Sequence, residues 1–194
     1  MNSTIVQELL KFDPQKPMAS AQVQLLATVA VLVLSTLTFT VVLRVMMPQS
    51  FSNQMQEDRE AEYTALKRKG VSLGNLFFGE FLNGSIHAPI AEELFFRFFL
   101  FKLVFVRIFK MNPHSANFLQ AAIFGSLHLS NTVYSDQGKG MSVAQSISSG
   151  ITGLICGYSY YYTNSILPAI FAHMINNLIA SYDQLRAYKS FLHT

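Results

Sequence analysis

The chain has 194 residues, of which 51% are hydrophobic and only 13% are charged, whereas soluble domains carry roughly 25% charged residues. This composition predicts an all-α integral membrane protein and argues against a soluble globular domain. The net charge of +3 is small and scattered along the chain, so no nucleic-acid partner is expected. A disulfide within the chain is excluded because Cys156 is the single cysteine, and its apolar surroundings predict a small core residue.

The first long apolar run, Met18 to Leu43, contains 26 residues without a charge, more than the about 20 that a membrane-spanning helix needs. It is also too long for a cleavable signal peptide. Residues 48–70 are polar and of mixed charge, which predicts a solvated loop or a surface helix. From Val71, apolar residues recur at helical spacing and predict an amphipathic helix at the membrane interface, with a re-entrant segment as the alternative.

Four further spans are predicted in the second half of the chain. One starts near Pro89, a residue that favours the first turn of a helix, and the next covers Ser115 to Ser135. Met141 to Tyr182 is uncharged and long enough for two spans, divided near residues 163–165. With the first run, these make about five transmembrane helices plus the interfacial helix. The expected segments are an N-terminal segment with the first span, a polar loop with the interfacial helix, and the core, which cover residues 1–47, 48–82 and 83–194.

Two further patterns predict how the helices pack and how they are oriented. Gly153 and Gly157 form a small-xxx-small pattern, which lets membrane helices approach closely. Basic residues divide eight to four between the two sides of the predicted membrane, and the positive-inside rule therefore places the N-terminus outside. Arg107 and Lys110 fall on the outer side, where they are expected to reach the lipid headgroups.

Charged and polar side chains interrupt the apolar runs in three of the predicted spans. A charge near the bilayer centre costs between about 2.5 and 17 kcal/mol, so such groups call for chemistry or a buried partner. In the predicted topology they lie at similar depth and form a polar cavity in the cytoplasmic half of the membrane. The residues concerned are Glu92, Glu93, Arg97, His128, His173 and Asn177.

Helical spacing gives the two adjacent glutamates different surroundings. Glu93 and Arg97 are four residues apart, share one face of a helix and can form an ion pair. Glu92 points about 100° away and is free to face a cavity. The simpler interpretation, that both glutamates merely favour a helix N-terminus after Pro89, does not account for the histidines at matching depth.

These residue types suit hydrolysis of an acyl bond, most simply a peptide bond. A carboxylate and an imidazole, here Glu92 and His128, can position and deprotonate a water. His173 and the Asn177 amide can donate hydrogen bonds to a developing oxyanion. Alternatively, Glu92, His128 and His173 could bind a divalent metal such as zinc, which lowers the pKa of a bound water. Packing or interfacial roles are expected for the remaining histidines, which are His87, His114 and His193.

Three short motifs occur in order within residues 86–180. They are Glu92-Glu93-x-x-x-Arg97, Phe124-x-x-x-His128 and His173-x-x-x-Asn177. Together they resemble the motifs of the CAAX protease and bacteriocin-processing (CPBP, Abi-type) family of intramembrane proteases. The resemblance implies a helical core with a conical cavity open to the cytosol.

The same resemblance implies a role for each motif residue. Glu92 would be the general base, and His128, which follows the supporting residue Phe124, would help to hold the nucleophilic water. His173 and Asn177 would form the oxyanion site. Glu93 would pair with Arg97 and brace the first motif. The family's larger members have more helices before the first motif than this chain offers.

The sequence therefore predicts an intramembrane endopeptidase that cleaves near the cytoplasmic membrane face, with prenylated CAAX-type or other membrane-associated peptides as substrates. The alternatives are a non-catalytic bacteriocin-immunity or partner-binding protein of the same fold and a small proton-linked transporter. The transporter is disfavoured because the chain has no internal repeat. The expected partners are a peptide or lipidated peptide and the lipid bilayer, and the oligomeric state is left open. The expected location is a bacterial cytoplasmic membrane, with the endoplasmic reticulum as the alternative.

Overall fold

The computed structural model describes residues 3–46, 49–130 and 139–192, and these contain helices and connecting turns without any strand. The all-α prediction is thus confirmed for this part of the chain. We number seven helices within it. They are α1 Ser3–Leu10, α2 Ala21–Met46, α3 Gln49–Arg68, α4 at residues 73–108, α5 Pro113–Leu127, α6 Lys139–Thr163 and α7 Leu167–Leu192.

Helix α4 is continuous but changes its winding three times. Its successive segments are α-helical Leu73–Phe78, π-helical Gly79–His87, α-helical Ala88–Glu93 and π-helical Leu94–Ile108. Pro89 lacks an N–H and would clash with the preceding turn of a regular helix, and the wider π turns before it leave room for its ring. No new helix starts near Pro89, contrary to the prediction; the helix instead changes there from π to α winding. The expected interfacial helix and second span form one helix.

The boundaries of the other predicted spans agree with the structure to different degrees. Among the described residues, α2 is the one helix that is long and apolar enough to cross a membrane, over Ala21–Val42. The division predicted near residues 163–165 is confirmed by the end of α6 and the start of α7. Helix α5 is shorter than the predicted third span because it passes into a 3₁₀ turn at His128–Ser130. The end of that predicted span lies outside the described residues.

Helices α5 and α6 approach closely because glycines line their contact. A Cβ atom on Gly125 would lie 2.7 Å from the Ser146 carbonyl oxygen, and one on Gly153 would lie 3.3 Å from the Ala121 Cβ. A Cβ atom on Gly157 would overlap an amide side chain of α5. The packing role predicted for Gly153 and Gly157 is confirmed. Cys156 of α6 is fully buried, as predicted, in a cluster with Val31 of α2 and with Ala169 and Ala172 of α7.

The N-terminal segment, residues 3–20, folds back onto one end of the helices. Buried Lys102 donates from Nζ to the Lys11 carbonyl oxygen at 2.7 Å and also to the Glu8 carbonyl oxygen. Tyr160 donates its hydroxyl to the same Lys11 carbonyl at 2.8 Å. Arg107 was expected to reach the lipid headgroups, but its Nη1 lies 2.9 Å from the Glu8 carboxylate. The segment thus provides the partners of two cations of α4.

A small second core lies at the other end of the helices. Tyr63 of α3, Leu76 of α4 and Tyr188 of α7 are buried together there. The rings of Tyr63 and Tyr188 lie 5.6 Å apart, and the Tyr188 hydroxyl donates to the Val71 carbonyl at 3.2 Å. Of the two structures predicted for residues 48–70, a surface helix is the one observed within the described part, over Gln49–Arg68.

Candidate active site

The centre of the candidate site is an ion pair on α4. The Nε atom of Arg97 lies 2.9 Å from the Oε2 atom of Glu93, and neither side chain is exposed. The predicted pairing of these residues is confirmed. Because both charges are buried, the loss of either would leave the other without compensation in a medium of low dielectric constant.

Phe124 of α5 packs over this ion pair. Its ring centroid lies 4.8 Å from the guanidinium carbon of Arg97, which allows a cation–π interaction. Phe96 contacts the same ring at a centroid distance of 4.7 Å. The two Nη atoms of Arg97 have no hydrogen-bond partner among the described residues. The aromatic ring is therefore one described partner of that end of the guanidinium group.

His173 of α7 joins the two glutamates. Its Nδ1 atom lies 2.9 Å from Oε1 of Glu93, and because an ionised carboxylate can only accept, the imidazole donates from Nδ1. In the neutral ring the lone pair then resides on Nε2. This Nε2 atom lies 3.8 Å from Oε2 of Glu92. Glu93 therefore fixes both the orientation and the tautomer of the ring that faces Glu92.

Glu92 differs from its neighbour in exposure. Its side chain is 35% exposed, whereas that of Glu93 is fully buried. This difference follows from the angle between successive residues on a helix. The part of the chain that the structure describes thus holds one glutamate in an ion pair, as predicted, and leaves the other partly exposed. That Glu92 faces a polar cavity stays a prediction.

His128 lies at the end of α5, and its described contacts are with Phe124. Its Nδ1 atom lies 2.8 Å from the Phe124 carbonyl oxygen, to which it donates, and the two rings are 4.8 Å apart. The ring of Phe124 also contacts His173, at 6.2 Å. The imidazole beside Glu92 is therefore that of His173. That Glu92 and His128 together bind a water stays a prediction.

Asn177 follows one turn after His173 on α7 and binds the backbone of α4. Its Nδ2 atom donates to the Gly84 carbonyl at 2.8 Å, which leaves its second N–H available. One turn further, the hydroxyls of Ser181 and Ser85 lie 3.1 Å apart and are buried. Sequence reasoning missed this serine pair. The four-residue spacing of 173, 177 and 181 was the signal that could have revealed it.

Metal binding by Glu92, His128 and His173 stays a prediction. In the described ranges, no three His, Cys, Asp or Glu side chains are grouped as a metal site. Glu92 and His173 could offer two donors, and the third would have to come from His128. No step of the proposed reaction is therefore derived through a metal.

The other histidines lie away from these residues. His87 is exposed, with Nδ1 at 3.3 Å from the Asn83 side-chain oxygen. His114 is also exposed, and its ring is 5.7 Å from that of Tyr158. Both placements agree with the interfacial or packing roles expected for them. His193 lies outside the described residues.

Comparison with known proteins gives one match. The model of a family described as type II CAAX prenyl endopeptidase Rce1-like matches residues 74–179, more than half of the chain. The matched range contains all three sequence motifs and the contacts between α4, α5 and α7 described above, except that Ser181 of the serine pair lies just beyond it. No curated protein and no solved structure gives a significant match.

Proposed function

Because the chain belongs to the type II CAAX prenyl endopeptidase Rce1-like family, which is a family of membrane proteases, we propose that it is an intramembrane endopeptidase with Glu92 as its general base. The observation that carries the proposal is the series Arg97, Glu93, His173, Glu92. In this series a buried ion pair fixes the orientation of an imidazole, and the imidazole faces a partly exposed carboxylate.

In the proposed reaction, Glu92 takes a proton from a water whose oxygen attacks the carbonyl carbon of the peptide bond. The distance of 3.8 Å between Glu92 and His173 is too long for a direct hydrogen bond. One water beside both atoms could donate to each of them. When the C–N bond of the tetrahedral intermediate breaks, Glu92 returns the proton to the leaving nitrogen.

The hydrogen bonds of the two histidines bear on their roles. A neutral His173 that donates from Nδ1 has only an acceptor at Nε2, which favours binding of the water over donation to an oxyanion. His128 is in the same state, because its Nδ1 donates to a backbone carbonyl. Asn177 keeps one N–H that can donate to the oxyanion. We therefore assign the water to Glu92 and His173 and the oxyanion to Asn177. Because a water has only two protons to donate and Nε2 of a neutral His128 can only accept, His128 would hold the water in place of His173 and not together with it.

The proposed substrate is a prenylated CAAX-type peptide or another membrane-associated peptide, cleaved near the cytoplasmic face. Membrane insertion is supported by the outer face of α2, on which Leu25 is 65% exposed and Leu26 68% exposed. Apolar side chains of this size favour lipid over water. The location in a bacterial cytoplasmic membrane, with the N-terminus outside and the polar cavity open to the cytosol, is part of the proposal.

The test is cleavage of a panel of prenylated and unprenylated peptides by the purified full chain in liposomes. The variants are Glu92→Gln and, as a matched control, Glu57→Gln at an exposed position of α3. We expect the wild type and the control to cleave and Glu92→Gln to be inactive. Equal cleavage by Glu92→Gln would contradict the assignment of the base. No cleavage by any form, with all forms folded, would favour the non-catalytic immunity or partner-binding alternative.

The same assay, repeated with a chelator, tests whether cleavage depends on a bound metal. Cleavage by the wild type that survives 1,10-phenanthroline would support activation of the water by Glu92 without a metal. Loss of cleavage that zinc restores would instead support the ligand set Glu92, His128 and His173.

A further inference from the structure

A groove lies between the first turns of α4 and the last turns of α7, with a cavity volume of about 470 Å³. Helix α4 contributes Leu73 and Phe77, which are four residues apart and share a face. The residues from α7 follow helical spacing as one stripe and are Tyr182, Leu185, Arg186 and Lys189. The groove thus has an apolar floor and two cations at one rim.

The two cations are available for a ligand. Arg186 and Lys189 are exposed, and neither forms an ion pair within the described residues. They are three residues apart on α7, so that both can reach one anion. Asp183 is the acid nearest to them in sequence, and it does not line the groove. A ligand in the groove would therefore meet an uncompensated positive charge.

The surroundings of the groove are basic as well. Lys67 lies 5.5 Å from the ring centroid of Phe191, which brings the end of α3 to the end of α7. Arg68 and Lys69 follow it and are exposed. Clusters of four to eight basic residues directly beside a membrane span attract anionic lipids. In the proposed topology, this end of the protein faces the cytoplasmic leaflet.

The groove is separate from the candidate active site. The buried hydrogen bond between Ser85 and Ser181 joins α4 and α7 between the groove and Asn177. A molecule in the groove would therefore lie beyond this contact and away from Glu92 and His173.

We propose that the groove binds one anionic phospholipid from the bilayer. An acyl chain would pack against the apolar floor, and the phosphate would lie between Arg186 and Lys189, where charge-assisted hydrogen bonds are strongest. A soluble phosphate would leave the apolar floor exposed to water, and a zwitterionic headgroup would bring its own cation next to Arg186 and Lys189. The combination of floor and rim thus fits a molecule that has both parts.

The experiment measures binding of fluorescently labelled phosphatidylglycerol to the purified full chain in neutral detergent, with labelled phosphatidylcholine in parallel. We expect Arg186→Gln/Lys189→Gln to weaken phosphatidylglycerol binding on the order of 30-fold. Phosphatidylcholine binding should weaken much less, because the choline cation offsets the charge of its phosphate. The matched control, Lys16→Gln/Lys110→Gln, removes two exposed cations at the opposite end of the helices and should bind like the wild type. Phe77→Ala should weaken both lipids, because it removes part of the floor.

Four outcomes would overturn the proposal. The first is equal binding of both lipids by the wild type. The second is an equal loss in the two double variants, which would indicate a general charge effect. The third is displacement of the label by a prenylated peptide but not by unlabelled phosphatidylglycerol, which would assign the groove to substrate. Competition by inorganic phosphate alone, at the concentration of the lipid, would likewise show that the floor contributes nothing. All of these readouts are independent of proteolysis, so they separate this proposal from the proposed activity.

Discussion

Helix α4 carries two clusters of buried charge, and they are compensated in different ways. In the first, Glu93 and Arg97 pair within one turn of the helix and bind a histidine of α7. In the second, Lys102 binds backbone carbonyl groups 91 and 94 residues earlier in the chain. The first cluster leaves the Glu92 side chain partly exposed and leaves Nε2 of His173 with a lone pair. In the second, two carbonyl oxygens and a carboxylate surround the ammonium group.

The difference shows that a buried charge is not by itself a sign of catalysis. A cation bound by carbonyl oxygens of its own chain has a structural role, because those oxygens cannot take up a proton near neutral pH. A site for acid–base chemistry needs a group that can change its protonation state and that also reaches substrate. The cluster around Glu92 offers such a group. In the cluster around Lys102, the carboxylate of Glu8 can titrate, but it is paired with Lys102 and Arg107 and lies away from the candidate active site.

The largest effect on activity is expected from Glu92→Gln. Loss of the general base should lower kcat by about 10²- to 10⁴-fold, and the midpoint of thermal unfolding in detergent should stay unchanged because the side chain is partly exposed. Both expectations are checked by measuring peptide cleavage and thermal unfolding on the same preparation. A loss of stability as large as that of a core variant would mean that Glu92 has a structural role, like Lys102.

The largest effect on stability is expected from Glu93→Gln. This change leaves Arg97 buried without its counter-charge and should cost about 3–5 kcal/mol in the free energy of unfolding. The double variant Glu93→Gln/Arg97→Met removes both charges and should recover much of the loss. Urea or thermal unfolding of the single and double variants provides the measurement. An unchanged stability in the single variant would contradict the pairing.

Lys102→Met tests the second cluster. The carbonyl groups of Glu8 and Lys11 would lose a buried donor, and we expect a loss of about 1–3 kcal/mol in the free energy of unfolding. The kcat of the folded fraction should equal that of the wild type, because the site around Glu92 is untouched. A kcat reduced as far as in Glu92→Gln would show that the two clusters are not separate in function.

The smallest effect concerns Glu8 and pH. Burial raises the pKa of this carboxyl, but the nearby charges of Lys102 and Arg107 outweigh that effect and hold the pKa below its ordinary value of 4.5. A lowered pKa contributes stability that is present above pH 4.5 and is lost as the pH falls through the pKa of the folded state. We expect the unfolding midpoints of the wild type and Glu8→Gln to converge as the pH falls from 7 to below 4.5. A constant difference over this range would exclude an ionised Glu8 as the cause.

The first cluster could largely be predicted from sequence because its central contact is local. Glu93 and Arg97 are four residues apart, and helical geometry alone brings them together. The contact of His173 with Glu93 was not predicted, since spacing identifies the face of each helix but not which faces meet. For the same reason, His128 was expected beside Glu92, where the structure places His173.

The second cluster was missed because its partners are far apart in sequence and are mostly backbone atoms. No pattern of side chains in the sequence predicts that the carbonyl oxygens of Glu8 and Lys11 lie beside Lys102. The continuity of α4 was missed for a related reason, because hydrophobic periodicity does not distinguish π winding from a helix that ends and restarts. The glycine contacts between α5 and α6 were predictable because small residues at that spacing have one common use in membranes.

The docking of the N-terminal segment also has a consequence for the order in which the protein forms. The Asn164 side chain binds the backbone of Asp13, 151 residues earlier in the chain. A ribosome adds about 5–20 residues per second, so the early segment waits on the order of 10–30 s for this partner. During that interval Lys102, once inserted, can already bind Glu8 and Lys11. The contact with Lys102 is therefore positioned to hold the segment in place until the last two helices arrive.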